Sequence, residues 1–323
     1  MDVDTHVGLK RGVPALMRLF ERFGVSASFF ISCGPDHSGR AIRRVLRPGF
    51  LKKMRRTNAV GMYGWRTVLY GTLLPGPLIA RAFPDLLRAL EAAGHEVGVH
   101  GYDHVYWQDR LASLPLDAVR AEFRRGCEVY REILGRPPRS FAAPGWQCTA
   151  NSLQCEDEAE LLYHSDTRGV APYRPRADGR VFRTPEIPST WPTLDETYGE
   201  ISTDRGELVR HYLGCVREGL NVHTIHTEVE GMPHLELFGE MIAALEPEVE
   251  FVRLDSEASR LDVAALPVHV WPSGANFVLF RPEGRSGQAV WEGLLERSVL
   301  VRNCSSWPRL ADCLRVTIGT PEE

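Results

Sequence analysis

The sequence predicts an α/β fold built on a parallel sheet or a barrel. Segments with the period of amphipathic helices alternate with short apolar segments over about 250 residues, which is typical of parallel strands joined by helices. With 323 residues, 43% of them hydrophobic and 25% charged, the chain is long enough for one large domain or two smaller ones. The character of the sequence changes at 258–268, where we expect a boundary.

The predicted elements follow from local patterns. Segment 12–24 has apolar residues at helical spacing and ends on Gly24, and 26–32 is a short apolar and aromatic run typical of a buried strand. Segments 83–94 and 95–100 repeat this helix-then-strand order. The later predictions are a helix at 116–135, a strand that runs into a turn at 139–146, a helix at 206–219, a strand at 221–229, a helix at 233–245 and a strand at 249–254.

Composition excludes several classes of protein. A formal net charge of −4 argues against nucleic acid as a partner of the whole protein. No run of about 18 or more apolar residues and no secretory leader is present, so we expect a cytoplasmic protein. The seven cysteines are scattered without a CxxC pair, which suggests neither a disulfide framework nor a thiolate zinc site.

A basic segment at 37–84 breaks the alternation of helices and strands. It holds ten basic residues and no acidic one, with aromatic residues interleaved. One interpretation is an arginine-rich insertion with a solvated face, and the other is a surface that docks on anionic lipid headgroups. The residues expected to meet a lipid phosphate or the membrane are Lys52, Lys53, Arg55, Arg56 and Trp65.

Two pairs of polar residues are candidates for chemistry. Asp2 and Asp4 flank Val3, so an extended backbone points both carboxylates to one side, although a frayed and solvated terminus would carry such a pair too. His100 and His104 follow an apolar strand at i, i+4 spacing, which suits two ligands of one divalent ion if a helical turn follows. Two histidines and one carboxylate leave positions open for water and substrate, as a catalytic site requires.

Six short motifs relate the chain to a known family. In order along the sequence they are DVDT, GHEVGVHGYDH, AAPGW, YHSDTRG, EIPSTWPTLDE and HTIHTEVEG. Together they resemble the polysaccharide deacetylase family over about residues 1–256. More specific stretches resemble its subgroup of lipid-linked 4-formamido-4-deoxy-L-arabinose deformylases, namely SASFFISCGPDHSGR, YGWRTVLYGT, PGPLIAR, YHSDTRG, WPTLDE and TIHTEVEG. The resemblance implies a distorted (β/α) barrel and a hydrolase of carbon–nitrogen bonds other than peptide bonds.

The resemblance also implies a divalent ion and a set of site residues. Asp4, His100 and His104 match the metal ligands, and zinc is the expected ion, with manganese or cobalt as alternatives. Asp2 matches the catalytic base and His226 the general acid. Other residues would stabilise the oxyanion, orient these groups or hold the sugar: Pro144, Gly145, Trp146, Asp166, Arg168 and Glu228.

The implied substrate is the formamide of a polyprenyl-phosphate-linked 4-formamido-4-deoxy-L-arabinose, in the lipid A modification that gives polymyxin resistance. Such an enzyme would lie peripherally on the inner face of the bacterial inner membrane. Two other functions stay open. One is a generic polysaccharide or chitooligosaccharide N-deacetylase, and the other is a sugar-lipid binding protein without turnover.

The chain departs from the family pattern at two places. Gln147 follows Trp146 where the subgroup has an arginine, and Arg168 is a candidate to replace it. Met1 stands where the last residue of the first strand should be, so the first strand is expected to be truncated and Asp2 to lie on a loose end.

The C-terminal tail has a different resemblance. Residues 267–323 are similar to part of the small domain of histidinol-phosphate aminotransferases, which implies a small α+β appendage. We therefore expect a deacetylase-like domain at 1–258 and an aminotransferase-like segment at 265–323. No pyridoxal phosphate is expected, because none of the three lysines lies in a matching context, and an aminotransferase fragment is the least favoured function.

Overall fold

The computed structural model describes residues 1–41, 67–264, 268–271, 277–296 and 299–317. The chain divides into two compact units, Met1–Leu254 and Asp255–Glu323. The domain ranges given above stay a prediction. No helix in the described part of the chain is both long enough and apolar enough to span a bilayer.

Helices and strands are numbered here in chain order within the described residues. The helices are α1 (Val13–Phe23), α2 (Ile79–Ala82), α3 (Pro84–Ala92), α4 (His104–Arg110), α5 (Leu116–Leu134), α6 (Ala150–Glu158), α7 (Leu194–Thr197), α8 (Arg205–Leu213), α9 (Leu235–Leu245), α10 (Leu254–Ala264) and α11 (Gly287–Leu295). The strands are β1 (Asp2–Val3), β2 (Ser28–Ile31), β3 (Glu96–Val99), β4 (Ser140–Phe141), β5 (Tyr163–His164), β6 (Arg176–Ala177), β7 (Arg180–Val181), β8 (Val268–Trp271), β9 (Phe277–Pro282), β10 (Arg302–Asn303) and β11 (Leu314–Thr317).

The first unit is built on a parallel sheet with the strand order β1-β2-β3-β4-β5. Single bridges continue this sheet past both edges, since Glu186 pairs with β5 and His226 pairs with β1. The amide of Thr190 donates to the carbonyl of Val222 at 2.9 Å, which joins the two added segments. These hydrogen bonds close the sheet into a barrel. The predicted distorted (β/α) barrel is therefore confirmed.

The short strand β1 is held on both sides. The amide of Asp2 donates to the carbonyl of Ile225 at 2.8 Å, and its carbonyl accepts from Thr227 at 3.0 Å. On the β2 side, the amide of Phe30 donates to the carbonyl of Met1 at 2.8 Å. The expectation that Asp2 lies on a loose end is therefore wrong. Two backbone hydrogen bonds to segment 221–229 fix its position on one side, and pairing with β2 fixes it on the other.

Two predicted strands differ from the structure. Residues 249–253 form no regular element, and α10 begins at Leu254 with Asp255 and Glu257 in its first turn, where carboxylates favour a helix start. Segment 221–229 pairs with β1 only through the bridge at His226. The five predicted helices are present as α1, α3, α5, α8 and α9, with ends that shift by a few residues.

The core of the first unit lies between the sheet and its helices, and β2 and β3 are buried along their whole length. Because both faces of the sheet are buried at β2 and β3, the sequences of these strands are nearly continuous apolar runs. Glu96 is the acidic residue of β3, and its carboxylate accepts hydrogen bonds from Ser28 at 2.5 Å, Ser140 at 2.7 Å and Tyr163 at 2.8 Å. These bonds join β2, β3, β4 and β5, so they hold the strands whose carboxyl ends carry the site.

The second unit contains an antiparallel sheet with the strand order β10-β11-β9-β8 and the helix α11. Its described part is thus a small α+β unit, as predicted.

Candidate active site

The turn after β3 places both candidate histidines. His100 directly follows the buried strand, and Gly101 has φ +73°, a left-handed conformation that glycine adopts at low cost. Asp103 is the N-cap of α4 and accepts a hydrogen bond from the amide of Tyr106 at 3.0 Å. The helix therefore begins at His104, and the rings of His100 and His104 lie with centroids 5.2 Å apart.

Asp4 and the two histidines form a compact group, called the Asp4 cluster below. Asp4 Oδ1 lies 3.3 Å from Nε2 of His100 and 3.5 Å from Nε2 of His104. Nδ1 of His100 lies 2.8 Å from the carbonyl of Ala142 and must donate to it, because a carbonyl oxygen only accepts. Nε2 of His100 therefore faces Asp4.

The Asp4 cluster fits a divalent ion. Ligand atoms that share one ion at about 2.1 Å lie about 3–3.5 Å apart, which agrees with both distances from Asp4 Oδ1. Asp4 Oδ1 is buried and has no hydrogen-bond partner within the described chain. Burial opposes ionisation of Asp4, but the charges of His104 and His100 outweigh it and hold its pKa below the usual value. Asp4 is thus a carboxylate, the form that binds a cation.

Glu228 holds the loop that carries Asp4. Its Oε1 accepts hydrogen bonds from the amides of Asp4 at 3.2 Å and Thr5 at 2.9 Å, and from the Thr5 hydroxyl at 2.7 Å. Gly8 is required beside it, because a Cβ at that position would lie 1.9 Å from Glu228 Oε1. Burial and the charge of Asp4 raise the pKa of Glu228 to about 8. The buried side chain of Glu228 thus fixes the backbone of Asp4 through these hydrogen bonds.

Asp2 and His226 border the Asp4 cluster. Asp2 Oδ2 lies 4.0 Å from Nε2 of His100, and the bridge between Asp2 and His226 sets the two residues side by side. Nδ1 of His226 lies 3.8 Å from Asp195 Oδ1, and its amide donates to Glu230 Oε2 at 2.9 Å. Burial lowers the pKa of His226, but Asp195 and the other nearby carboxylates outweigh it and raise that pKa to about 9. His226 therefore carries a proton at neutral pH.

The turn Pro144–Trp146 follows β4 and lies beside α4. Gly145 has φ +61°, and a Cβ there would lie 2.3 Å from Nε2 of the Gln108 side chain. The amide of Trp146 donates to the carbonyl of Ala143 at 3.1 Å. The amide of Gly145 is therefore the candidate donor to an oxyanion in this turn.

Arg168 binds Glu196 in the structure. Its NH1 lies 2.6 Å from Glu196 Oε1, and its NH2 donates to the carbonyl of Trp191 at 3.0 Å. The guanidinium also stacks on Trp146 at 4.8 Å from the ring centroid. Its carboxylate partner is thus Glu196, and replacement of the subgroup's arginine by Arg168 stays a prediction.

Asp166 lies apart from the Asp4 cluster, in a second group of buried polar residues. Asp166, Glu156 and His164 are each less than 2% exposed and are called the Glu156 cluster below. The predicted role of Asp166 in orienting the catalytic groups or holding the sugar stays a prediction. Lys52, Lys53, Arg55, Arg56 and Trp65 lie outside the described residues, so their predicted contact with lipid stays a prediction.

Sequence reasoning assigned no role to Asp195 or Glu230, which flank His226. Asp195 occurs in WPTLDE, one of the motifs that carries the family resemblance, and this was the available signal. Its contact with His226 spans 31 positions of sequence, which local patterns do not show.

Comparison with known proteins was made on both sequence and structure. The sequence model of the polysaccharide deacetylase family matches residues 4–164. A protein of Shewanella sediminis, described as a probable 4-deoxy-4-formamido-L-arabinose-phosphoundecaprenol deformylase, ArnD, is 39% identical over 254 residues, which cover 78% of this chain and 82% of that protein. The chain belongs to the polysaccharide deacetylase family. Polysaccharide deacetylases and their deformylase relatives are hydrolases of carbon–nitrogen bonds other than peptide bonds, so the predicted enzyme class is confirmed.

The polysaccharide deacetylase fold is also found in a solved structure from Mycobacterium smegmatis described as a polysaccharide deacetylase. It has a TM-score of 0.56 and 21% identity, and the match covers 83% of this chain and 82% of that one. A histidinol-phosphate aminotransferase of Bordetella bronchiseptica is 46% identical over 82 residues, which are 24% of this chain and 22% of that protein. The predicted partial resemblance to that family is thus confirmed.

Proposed function

We propose that this protein removes the formyl group from a polyprenyl-phosphate-linked 4-formamido-4-deoxy-L-arabinose in a metal-dependent hydrolysis. The observation that carries the proposal is the 39% identity to a relative named for this reaction, over 82% of its length. The Asp4 cluster lies within residues 4–164, which match the family, and its geometry suits one divalent ion.

Asp4, His100 and His104 would hold the ion, for which we propose zinc. An ion at such a site polarises a carbonyl oxygen and lowers the pKa of water. Asp4 would supply a carboxylate oxygen and each histidine its Nε2, a set of three protein ligands of the kind found at catalytic metal sites.

Asp2 and His226 would move the protons. Asp2 accepts a proton from the attacking water as that oxygen bonds to the formyl carbon. The carbon–nitrogen bond then breaks, and His226 donates its proton to the leaving amine, so that formate and the free aminosugar are released. The raised pKa of His226 supports this role, because the ring is protonated when the reaction starts.

The remaining contacts would bind and orient the substrate. The amide of Gly145 would donate to the developing oxyanion, since the neighbouring amide of Trp146 is already bound to the carbonyl of Ala143. Trp146, stacked under Arg168, offers an aromatic face of the kind that packs on sugars.

A basic cleft supports binding of a phosphate-bearing lipid. The cleft has a volume of about 720 Å³ and is lined by Lys10, Arg11 and Arg18 together with apolar residues that include Met232 and Leu235. None of these three cations forms an ion pair within the described chain. Cationic and apolar groups side by side suit a lipid phosphate, and we propose that the protein works peripherally on the cytoplasmic face of the inner membrane.

The membrane proposal is tested with anionic liposomes at two salt concentrations. We expect binding that weakens at high salt and weakens further when Lys10, Arg11 and Arg18 are changed to alanine. The matched control changes Arg88, Arg120 and Arg205 to alanine, which removes the same number of charges from arginines that pair with surface acids. Equal liposome binding by the two variants, or binding that does not depend on the salt concentration, would refute the proposed role of the cleft.

The reaction is tested by product analysis on two substrates. The metal-loaded protein should release formate from the polyprenyl-phosphate-linked formamido sugar and little acetate from an N-acetylated chitooligosaccharide. His211→Ala, which removes a histidine from α8, is the control and should keep full activity. Acetate release in place of formate would support the generic deacetylase instead. Bound metal without release of either acid would indicate a binding protein.

A further inference from the structure

The Glu156 cluster brings together three segments of the first unit. Glu156 lies on α6, His164 ends β5, and Asp166 follows two residues later. A fourth residue, Glu186, contacts the cluster from the segment that bridges to β5. All four side chains are buried, so this group is separate from the accessible Asp4 cluster.

The distances within the Glu156 cluster match those between ligands of one ion. Nδ1 of His164 lies 3.5 Å from Asp166 Oδ2 and 3.7 Å from Glu156 Oε2. These values are close to the roughly 3–3.5 Å expected for ligands at about 2.1 Å from a shared metal. Glu186 Oε2 lies 2.7 Å from the same nitrogen.

The carboxylate oxygens of the cluster have no hydrogen-bond partner in the described chain. This holds for both oxygens of Glu156 and both oxygens of Asp166, whereas Nδ1 of His164 pairs with Glu186. Four such oxygens in one buried place are unusual, because a buried polar atom without a partner costs about 1–3 kcal/mol. These atoms point to a ligand that they share.

Charge leads to the same conclusion. No Lys or Arg of the described chain forms an ion pair with Glu156 or Asp166, so His164 is their cationic neighbour. Burial, with the neighbouring carboxylates, raises the pKa of Glu156 to about 8 and that of Asp166 well above its usual value. A cation would remove this penalty.

Asp157, the next residue on α6, is a buried acid whose carboxylate oxygens both have hydrogen-bond donors. Its Oδ1 accepts hydrogen bonds from the amides of Arg183 at 2.9 Å and Thr184 at 2.8 Å. Its Oδ2 pairs with Arg180 at 3.3 Å. Two adjacent carboxylates thus have opposite surroundings, and only the Glu156 side lacks donors.

We propose that Glu156, His164 and Asp166 bind a divalent metal ion, zinc or manganese, at a second and structural metal site. One imidazole nitrogen and two carboxylate oxygens suit either ion. Glu186 positions the site, because its carboxylate accepts hydrogen bonds from the amides of Asp166 and Thr167 at 3.0 Å. The ion would tie α6 to β5 and to the segment that leads to Arg168, without contact to substrate.

The test is the metal content of the purified full-length protein after dialysis against metal-free buffer, measured by mass spectrometry. We expect two equivalents in the unchanged protein and one in either His104→Ala or Glu156→Gln. Asp157→Asn is the matched control and should keep two. Glu156→Gln should also unfold several degrees lower, with a smaller response to chelator.

The proposal is overturned if folded Glu156→Gln keeps the metal content of the unchanged protein. If that variant does not fold, anomalous scattering from crystals of the unchanged protein decides. A peak among Glu156, His164 and Asp166 supports the site, and a peak only at Asp4 refutes it. Neither readout depends on turnover, so it is independent of the proposed deformylation.

Discussion

The first unit holds two groups in which carboxylates surround histidine, and they differ in access and in how the rings are held. In the Asp4 cluster the side chains of Asp4 and His104 are 22% and 17% exposed, and His100 is fixed by the carbonyl of Ala142. In the Glu156 cluster the side chains are at most 1% exposed, and Nδ1 of His164 pairs with the carboxylate of Glu186 at 2.7 Å. Similar side chains thus occur in a partly exposed group, where we propose turnover, and in a fully buried group, where we propose a structural ion. Access, more than residue type, separates a site for turnover from a site for structure.

The largest effect is expected from Asp4→Ala. The variant should lose one metal equivalent and all measurable formate release, because Asp4 Oδ1 faces both histidines. Metal at the Glu156 cluster should remain, so the content should fall from two equivalents to one. A variant that kept its full metal content and its activity would break the assignment of the Asp4 cluster as the site of turnover.

Asp2→Asn separates proton transfer from metal binding. We expect kcat to fall about 10²–10⁴-fold while the metal content stays unchanged, since Asp2 is the proposed base and not a ligand. Rapid-quench measurement of formate, together with metal analysis, gives both values. Loss of metal along with activity would make Asp2 a ligand and contradict its role as base.

Glu228→Gln tests the buried support of the Asp4 cluster. Glu228 holds the amides of Asp4 and Thr5, and loss of such outer contacts weakens metal binding about 10–100-fold. Competition with a chromophoric chelator measures the affinity. An unchanged affinity in a folded variant would show that the Asp4 loop is held without the Glu228 carboxylate.

Asp195→Asn should shift the pH dependence of turnover. His226 is the proposed general acid and would act in its protonated form, so kcat should fall as the pH rises through the pKa of His226, which the Asp195 charge raises. Removing that charge lowers the pKa, and the alkaline limb should move down by about one pH unit. Glu196→Gln, which removes the neighbouring carboxylate bound to Arg168, is the control and should leave the limb in place. An unmoved limb in Asp195→Asn would refute the coupling.

Part of the fold and of the site could be predicted from the sequence. The alternation of helices and strands predicted a parallel sheet or a barrel, and the family resemblance narrowed this to the distorted barrel. The spacing of His100 and His104 after β3 is local, so the sequence shows it directly. The family resemblance added Asp2, Asp4 and His226, which the closed barrel brings together.

Other features depend on contacts that no local pattern records. Asp195 and Glu230 look like surface acids in the sequence, and only the packing of distant loops sets them beside His226. The Glu156 cluster likewise joins a helix, a strand end and a loop. The alternating residues of 249–254 suited a strand, but the acids after Leu254 favour the helix that forms there.

The most direct test of metal-dependent deformylation is formate release from the polyprenyl-phosphate-linked formamido sugar before chelation, after chelation and after zinc is restored. The proposed function predicts formate and free aminosugar in equal amounts, loss of both on chelation, and recovery with zinc. Formate release that persists in protein shown to be metal-free, or no formate from the fully loaded protein, would contradict it.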